Sequence, residues 1–241
     1  MLLDGEDGRD NSFGKNVLEL VKLVVPEPSS VVNDAIHKGT FSVLIDIGGL
    51  GGDADYNPLE AKLYGGDRTA TPPRFDGTDV WPVMPEPLVG GSIDSPKVQF
   101  KNSYVTGNTW VSGDPAPLDL VITMAGYTVK LTLARAIISM DLDPDRKSAT
   151  RGTIAGILDT EALVKEIEKL VTGLTDQFCD VTSLEPILDS VRQASDVLND
   201  GTQDPTKTCN GISIGIGFEM KAVHLGDVGT PASTLPSKCA G

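Results

Sequence analysis

The sequence predicts a β-rich α+β fold with an antiparallel β-sandwich-like core, two short N-terminal helices and two helices before the last strand. Three observations predict it. Residues 116–158 hold the longest run of alternating apolar and polar side chains. Glycine (26) and proline (16) are frequent enough to end many short strands in turns. Apolar side chains recur at helical spacing in two pairs of stretches, one pair on each side of that run.

The alternating run predicts three consecutive strands. Apolar side chains occupy the even positions of 118–124 and the odd positions of 127–133, and they return to the even positions from Ala134. Successive side chains of a strand point to opposite faces, so this one-residue slip predicts a bulge or bend near Leu133–Arg135. The third strand is predicted at Ala149–Leu158. Short turns between successive strands favour antiparallel pairing.

Shorter elements flank this run on both sides. A half-buried sheet needs a covering layer, which is either a second sheet, as in a sandwich, or the helices, as in a plain α+β fold. We expect helices over 17–24, 29–39, 160–173 and 182–200, and strands over 41–47, 97–105 and 211–220.

We expect a single domain, because no change of composition divides the 241 residues. Three segments lack periodicity and are predicted to be irregular. They are an acidic leader at 1–14, a long Gly/Pro-rich loop at 48–96 and a surface tail at 226–241. A loop as long as the second is usually functional or disordered.

The charge balance narrows the classes of partner. A formal net charge of −14 disfavours nucleic acid and anionic membrane surfaces and favours divalent cations or basic partners. No apolar run approaches the roughly 18 residues that a membrane-spanning helix needs. We therefore expect neither nucleic-acid binding nor a membrane span.

A dense Asp/Gly/Asn stretch near the N-terminus indicates a cation loop. Asp4, Asp7, Asp10 and Asn11 offer oxygen ligands at short spacing, and the glycines between them allow sharp turns, which suits calcium. The stretch does not match an EF-hand, since no frame supplies both the required Gly and the final Glu. The alternative is an exposed acidic terminus without a bound ion.

Two tryptophans suggest a sugar-binding surface. Trp110 lies in a Gly-bracketed stretch beside Asn108, and Trp81 lies in an irregular turn cluster. A flat apolar ring beside hydrogen-bonding side chains is the usual surface for a sugar. The predicted ligand-binding residues are therefore Trp110, Asn108 and Trp81. The alternative is that both rings are buried and only stabilise the fold.

Neither of two catalytic patterns is convincing. Residues 211–215 match G-x-S-x-G, but the strand alternation runs straight through Ser213, whereas a nucleophile elbow needs a sharp turn there. A glycosidase needs two carboxylates about 5–10 Å apart, and a chain with 34 acidic residues always offers a pair. The sequence thus favours a non-enzymatic protein, with a secreted glycosidase-like hydrolase as the alternative.

The three cysteines offer one disulfide. Cys179 and Cys209 flank the last predicted helix, so a bond between them that staples the helix is one prediction. Cys239 would then be left over. The alternative is three reduced thiols.

Four short motifs resemble a group of uncharacterised bacterial secreted proteins and lipoproteins: Asp7–Gly14, Tyr104–Trp110, Gly152–Gly156 and Cys209–Gly215. The resemblance implies export to a disulfide-permissive compartment, either secreted, periplasmic or on the outer surface. It implies no activity and no catalytic residues. The export signal and lipid-bearing cysteine of that pattern do not precede Asp7, so we expect that an export signal has been removed.

The sequence therefore predicts an exported, non-enzymatic β-rich surface or binding module with calcium as a candidate stabilising ion. Its candidate ligand is a glycan or another cell-surface component.

Overall fold

The structure, a computed structural model, describes residues 10–124, 127–175, 179, 181–230 and 239. Within these ranges it is β-rich with few helices, which confirms the predicted fold class. The helical elements are a π-helical turn Phe13–Val17 that continues as α1 (Leu18–Val21), then α2 (Pro28–His37), α3 (Thr160–Leu174) and α4 (Val181–Gln193). The strands are β1 (Ser42–Gly48), β2 (Tyr56–Gly66), β3 (Val80–Val83), β4 (Val98–Thr106), β5 (Thr109–Val111), β6 (Ala116–Met124), β7 (Tyr127–Leu142), β8 (Ser148–Asp159), β9 (Gly211–Lys221) and β10 (His224–Val228).

These ten strands form one sheet in the order β10-β3-β2-β4-β5-β7-β8-β9, with β1 paired to β2 and β6 paired to β7. The pairings are antiparallel except that of β10 with β3. The sheet folds back on itself, because Leu63 and Val98 from one half line the same cavity as Leu120 from the other. Helix α3 packs on β7. The core thus combines a sandwich-like sheet with a helical cover.

The phase slip in β7 marks a β-bulge, as predicted. Leu133 pairs with Leu118 of β6 and with Leu158 of β8, and the register of both neighbouring strands shifts on passing it. The buried face of β7 follows the slip. Its buried side chains are Val129, Leu131 and Leu133 before the bulge and Ala136, Ile138, Met140 and Leu142 after it.

The predicted loop at 48–96 is partly wrong, because it contains β2 and β3, although residues 67–79 and 84–95 are irregular as predicted. In β2 the side chains of Leu59, Ala61 and Leu63 are buried on one face, and the strand pairs with both β1 and β4. Glycine ends β2 for a steric reason: a Cβ on Gly66 would lie 2.7 Å from the Trp81 Nε1 atom. Among the Gly and Pro residues that suggested a loop, Pro58, Gly65 and Gly66 therefore belong to β2, and Pro82 belongs to β3.

The predicted leader and tail are also partly wrong. Asn11 and Ser12 are buried, and Phe13 belongs to the main hydrophobic core. Residues 226–228 belong to β10, which pairs with β3, so β9 is not the last strand. Residues 1–9 and 231–238 lie outside the described part of the chain.

The disulfide joins Cys179 to Cys239, with a Cα–Cα distance of 5.1 Å, so the predicted bond to Cys209 is wrong. Cys209 is a half-buried free thiol. It lies just before β9, next to Asn210, whose backbone N–H donates to Val197 O and whose side chain accepts from the Asn199 N–H. The Cys179–Cys239 disulfide links Cys239, near the C-terminus, to the segment between α3 and α4.

Candidate functional site

Neither tryptophan presents a ring to solvent. Trp110 is fully buried and packs edge-to-face on Phe100, with ring centroids 6.0 Å apart. Trp81 is 1% exposed, lies in a separate small hydrophobic cluster, and donates from Nε1 to Asp67 O at 2.7 Å. Sugar stacking needs an exposed ring face. The predicted ligand-binding roles of Trp110 and Trp81 are therefore wrong, and both residues stabilise the core.

Asn108 lies in the hairpin turn that joins β4 to β5. Gly107 and Asn108 both have positive φ, 55° and 66°, as a two-residue hairpin requires. The Asn108 N–H donates to Ala54 O at 2.9 Å, and its carbonyl accepts from the Leu142 N–H at 2.9 Å. Asn108 therefore fixes the backbone beside a surface groove.

This groove, which we call the tyrosine groove, forms where β2 begins and β4 ends. It has a volume of about 410 Å³ and is open to solvent. Tyr56 and Tyr104 are both half-buried, and Asp55 and Asn57 are exposed. The described residues that line it are Asp55, Tyr56, Asn57, Tyr104, Val105 and Thr106.

The loop before the groove is held by Arg146. Its Nε donates to Gly51 O at 3.0 Å, and its Nη2 donates to Asp53 O. The Tyr56 hydroxyl accepts from the Asp53 N–H at 3.0 Å, which ties the loop to the groove wall. On the other wall, Asp55 Oδ1 accepts from the Gly107 N–H at 2.9 Å. The side chains of Asp55 and Tyr56 are thus held in place before any ligand arrives, which lowers the entropy cost of binding.

Tyrosine, carboxylate and amide groups together suit a hydroxyl-rich ligand. A tyrosine ring supplies apolar surface with a polar tip, and carboxylate and amide groups hydrogen-bond to hydroxyls. Among the described residues that line the groove, Asp55 is the one carboxylate. A glycosidase uses two carboxylates, and the described lining of this groove offers one.

Threonine hydroxyls lower the pKa of four carboxyl groups elsewhere on the surface. In each case the largest cause is a hydrogen bond from a threonine side chain, and a glycosidase acid needs the opposite shift. The pairs are Asp76 with Thr78, Asp141 with Thr109, Asp200 with Thr202 and Asp204 with Thr206.

Asn11 is not a cation ligand, contrary to the prediction. Its Oδ1 accepts from the N–H groups of Gly14 at 3.1 Å and Gly215 at 3.0 Å, and its Nδ2 donates to Gly215 O at 3.3 Å. A carboxamide oxygen has two lone pairs, and both are used here. The side chain therefore closes the outer edge of β9 in the way a neighbouring strand would.

Asp10 lies next to this anchor, and Asp4 and Asp7 lie outside the described residues. Ser213 Oγ is 3.2 Å from Asp10 Oδ1 and donates to Asp196 Oδ2 at 2.5 Å. The Ser12 N–H donates to the same hydroxyl at 2.9 Å. Within the described ranges, no group of three or more His, Cys, Asp or Glu side chains is arranged to hold a metal.

These contacts also settle the role of Ser213. The residue is 5% exposed within the straight strand β9, and its N–H donates to Asp196 Oδ1 at 2.8 Å. As expected from the unbroken alternation, no nucleophile elbow is present at this position. Ser213 is a structural residue that joins the N-terminal segment to the end of α4.

The tyrosine groove is not predictable from the sequence alone. Its walls come from residues about fifty positions apart, and their approach depends on the pairing of Tyr56 with Val105. The motif Tyr104–Trp110 contains one wall of the groove, which is formed by its tyrosine and not by its tryptophan.

Comparison with protein-family models, with curated proteins and with solved structures found no match to this chain. None of the helices in the described ranges has the length and apolar character needed to cross a bilayer.

Proposed function

We propose that this protein is an exported, non-enzymatic β-rich binding module whose tyrosine groove binds a glycan or another hydroxyl-rich cell-surface component. The observation that carries the proposal is the composition of the groove. Two half-buried tyrosines lie beside an exposed carboxylate and an exposed amide in an open volume of about 410 Å³. Open grooves with aromatic walls and a few placed polar groups are typical ligand sites.

Alanine in place of Tyr104 tests this proposal. We expect Tyr104→Ala to bind at least about fivefold more weakly than wild type, because it removes one of the two aromatic side chains of the groove. The probes are cello-, chito- and manno-oligosaccharides, and binding is measured by saturation-transfer NMR. Lys101→Ala is the matched control, since Lys101 is an exposed residue of the same strand outside the groove. Failure of all three probes to bind, or equal binding by Tyr104→Ala, would contradict the proposal.

The disulfide supports the export part of the proposal. Disulfides form and persist in oxidising compartments. Cys179 and Cys239 are 60 residues apart in sequence and are bonded to each other. Mass spectrometry of the unreduced protein isolated from its host should show this bond intact, and a fully reduced chain would count against export.

Calcium remains a proposed stabilising ion, with the ligand set reduced to Asp4, Asp7 and Asp10. If the folded state binds calcium, a melt at a hundredfold excess over Kd should have a Tm about 5–10 °C higher than a melt in EDTA. Asp7→Ala and Asp10→Ala should abolish that difference, whereas Asp114→Ala should keep it. The Tm in calcium minus the Tm in EDTA is compared, and not either Tm alone. Asp10→Ala also removes the contact with Ser213, which changes stability in both conditions alike. Superimposable curves for wild type would refute calcium binding.

A further inference from the structure

A second cavity, of about 190 Å³, lies between the two halves of the folded sheet. We call it the inter-layer cavity. Leu63, Tyr64 and Leu120 are buried in its walls, and Val43 and Val98 are half-buried beside them. A methylene group fills about as much space as a water molecule, whose share of the liquid volume is about 30 Å³. The cavity therefore suits an apolar chain of about six carbon atoms.

The charged groups at one side of the mouth neutralise each other. Lys130 Nζ lies 2.8 Å from Asp119 Oδ2. The Thr132 hydroxyl donates to Asp119 Oδ1 at 2.9 Å. Both carboxylate oxygens of Asp119 and the charge of Lys130 are therefore already engaged within the protein.

The Tyr64 hydroxyl is engaged in the same way. It donates its single proton to Ile93 O at 3.0 Å. The pKa of Tyr64 is raised to about 12. Burial is the largest cause, and the negative charges of Asp46 and Asp94 add to it. Tyr64 is thus neutral at physiological pH and offers no further donor to a ligand.

Lys97 differs from these groups. Its Nζ donates to the backbone carbonyl of Glu86 at 2.8 Å, and it forms no ion pair within the described ranges. An ammonium group has three donors, so two remain for other partners. In a chain with net charge −14, this places a positive charge without a carboxylate partner at the mouth of an apolar cavity.

We propose that the inter-layer cavity binds a short-chain monocarboxylate, with its alkyl chain between Leu63 and Leu120 and its carboxylate on the Lys97 ammonium. Burial of the alkyl chain supplies the main driving force, and the charge-assisted hydrogen bond selects the anionic end. The net charge of −14 on the whole chain disfavours ligands with several negative charges. This proposal is independent of the tyrosine groove.

The test is a titration of the protein with hexanoate, followed through the methyl signals of Val43, Leu63, Val98 and Leu120 by NMR. Hexanol serves as the uncharged ligand of the same length. Lys97→Met keeps most of the apolar stem but removes the charge. Lys101→Met removes a charge from β4, the strand that follows Lys97, at a position outside the cavity.

We expect hexanoate to shift these methyl signals in wild type and Lys101→Met with equal affinity, and to bind Lys97→Met about fivefold more weakly. Hexanol should bind all three proteins alike. Hexanoate affinity unchanged in Lys97→Met would overturn the role of the ammonium group. Methyl signals that move with neither ligand would overturn the cavity as a binding site.

Discussion

Replacing Asn11 by alanine will lower the free energy of unfolding by about 3 kcal/mol. The side chain is 1% exposed and makes three hydrogen bonds to described residues, two to Gly215 and one to Gly14. Each bond contributes roughly 1 kcal/mol, and its loss leaves a backbone group of buried Gly215 or half-buried Gly14 without its partner. Urea unfolding measures the change. Asn33→Ala, at an exposed position of α2, should stay within about 0.5 kcal/mol of wild type.

A second variant, Asn11→Asp, replaces only the Nδ2 donor and keeps the rest of the side chain. It therefore distinguishes loss of that donor from loss of the whole side chain. In Asn11→Asp the oxygen that replaces Nδ2 faces Gly215 O, which repels a carboxylate but accepts a bond from a protonated carboxyl. The folded-state pKa of the new carboxyl is therefore raised above the roughly 3.9 of an unfolded chain. A raised pKa gives stability that is present below the unfolded value and lost as the pH rises through the folded value.

We thus expect Asn11→Asp to be at least as unstable as Asn11→Ala at pH 7 and more stable than Asn11→Ala at pH 4. Each variant is compared with wild type at the same pH, so the general effect of acid cancels. A loss below about 1 kcal/mol in Asn11→Ala, or no dependence on pH in Asn11→Asp, would show that the N-terminal segment is not anchored through this side chain.

The sequence predicted well wherever a single periodic pattern carried the information. The bulge near Leu133 was predictable because the slip from odd to even apolar positions lies within one strand, and a strand shows its buried face directly. The same signal was present in β2, where Leu59, Ala61 and Leu63 alternate with Glu60 and Lys62. Dense Pro and Gly residues around this short stretch obscure its alternation.

Features that depend on tertiary approach were not predictable. Cysteine spacing does not say whether Cys179 meets Cys209 or Cys239, because the path of the chain between them decides it. A tryptophan among polar neighbours fits a core position as well as a surface one, and Trp110 and Trp81 are both buried. The acidic character of residues 4–11 likewise concealed the anchoring role of Asn11, whose partner Gly215 is 204 positions away.

Glycine is required at position 156 because the bulge of β7 leaves no room for a methyl group. A Cβ on Gly156 would lie 2.5 Å from Arg135 O and 2.6 Å from Leu133 Cδ2. The first atom belongs to the backbone at the bulge, and the second to a fully buried side chain. Neither atom is free to move without disturbing the pairing of β7 with β8, so the contact cannot be relieved cheaply.

Gly156→Ala should therefore destabilise the protein by at least about 2 kcal/mol in urea unfolding. Gly217→Ala is the matched control in the neighbouring strand β9, because the nearest atom to its Cβ would be Gly152 O at 3.9 Å. Alanine loses less backbone entropy than glycine on folding, so the control should be neutral or slightly stabilised. Equal stabilities of the two variants would mean that the backbone at Arg135 yields readily. The bulge that redirects the buried face of β7 would then be a soft feature of the fold rather than a fixed one.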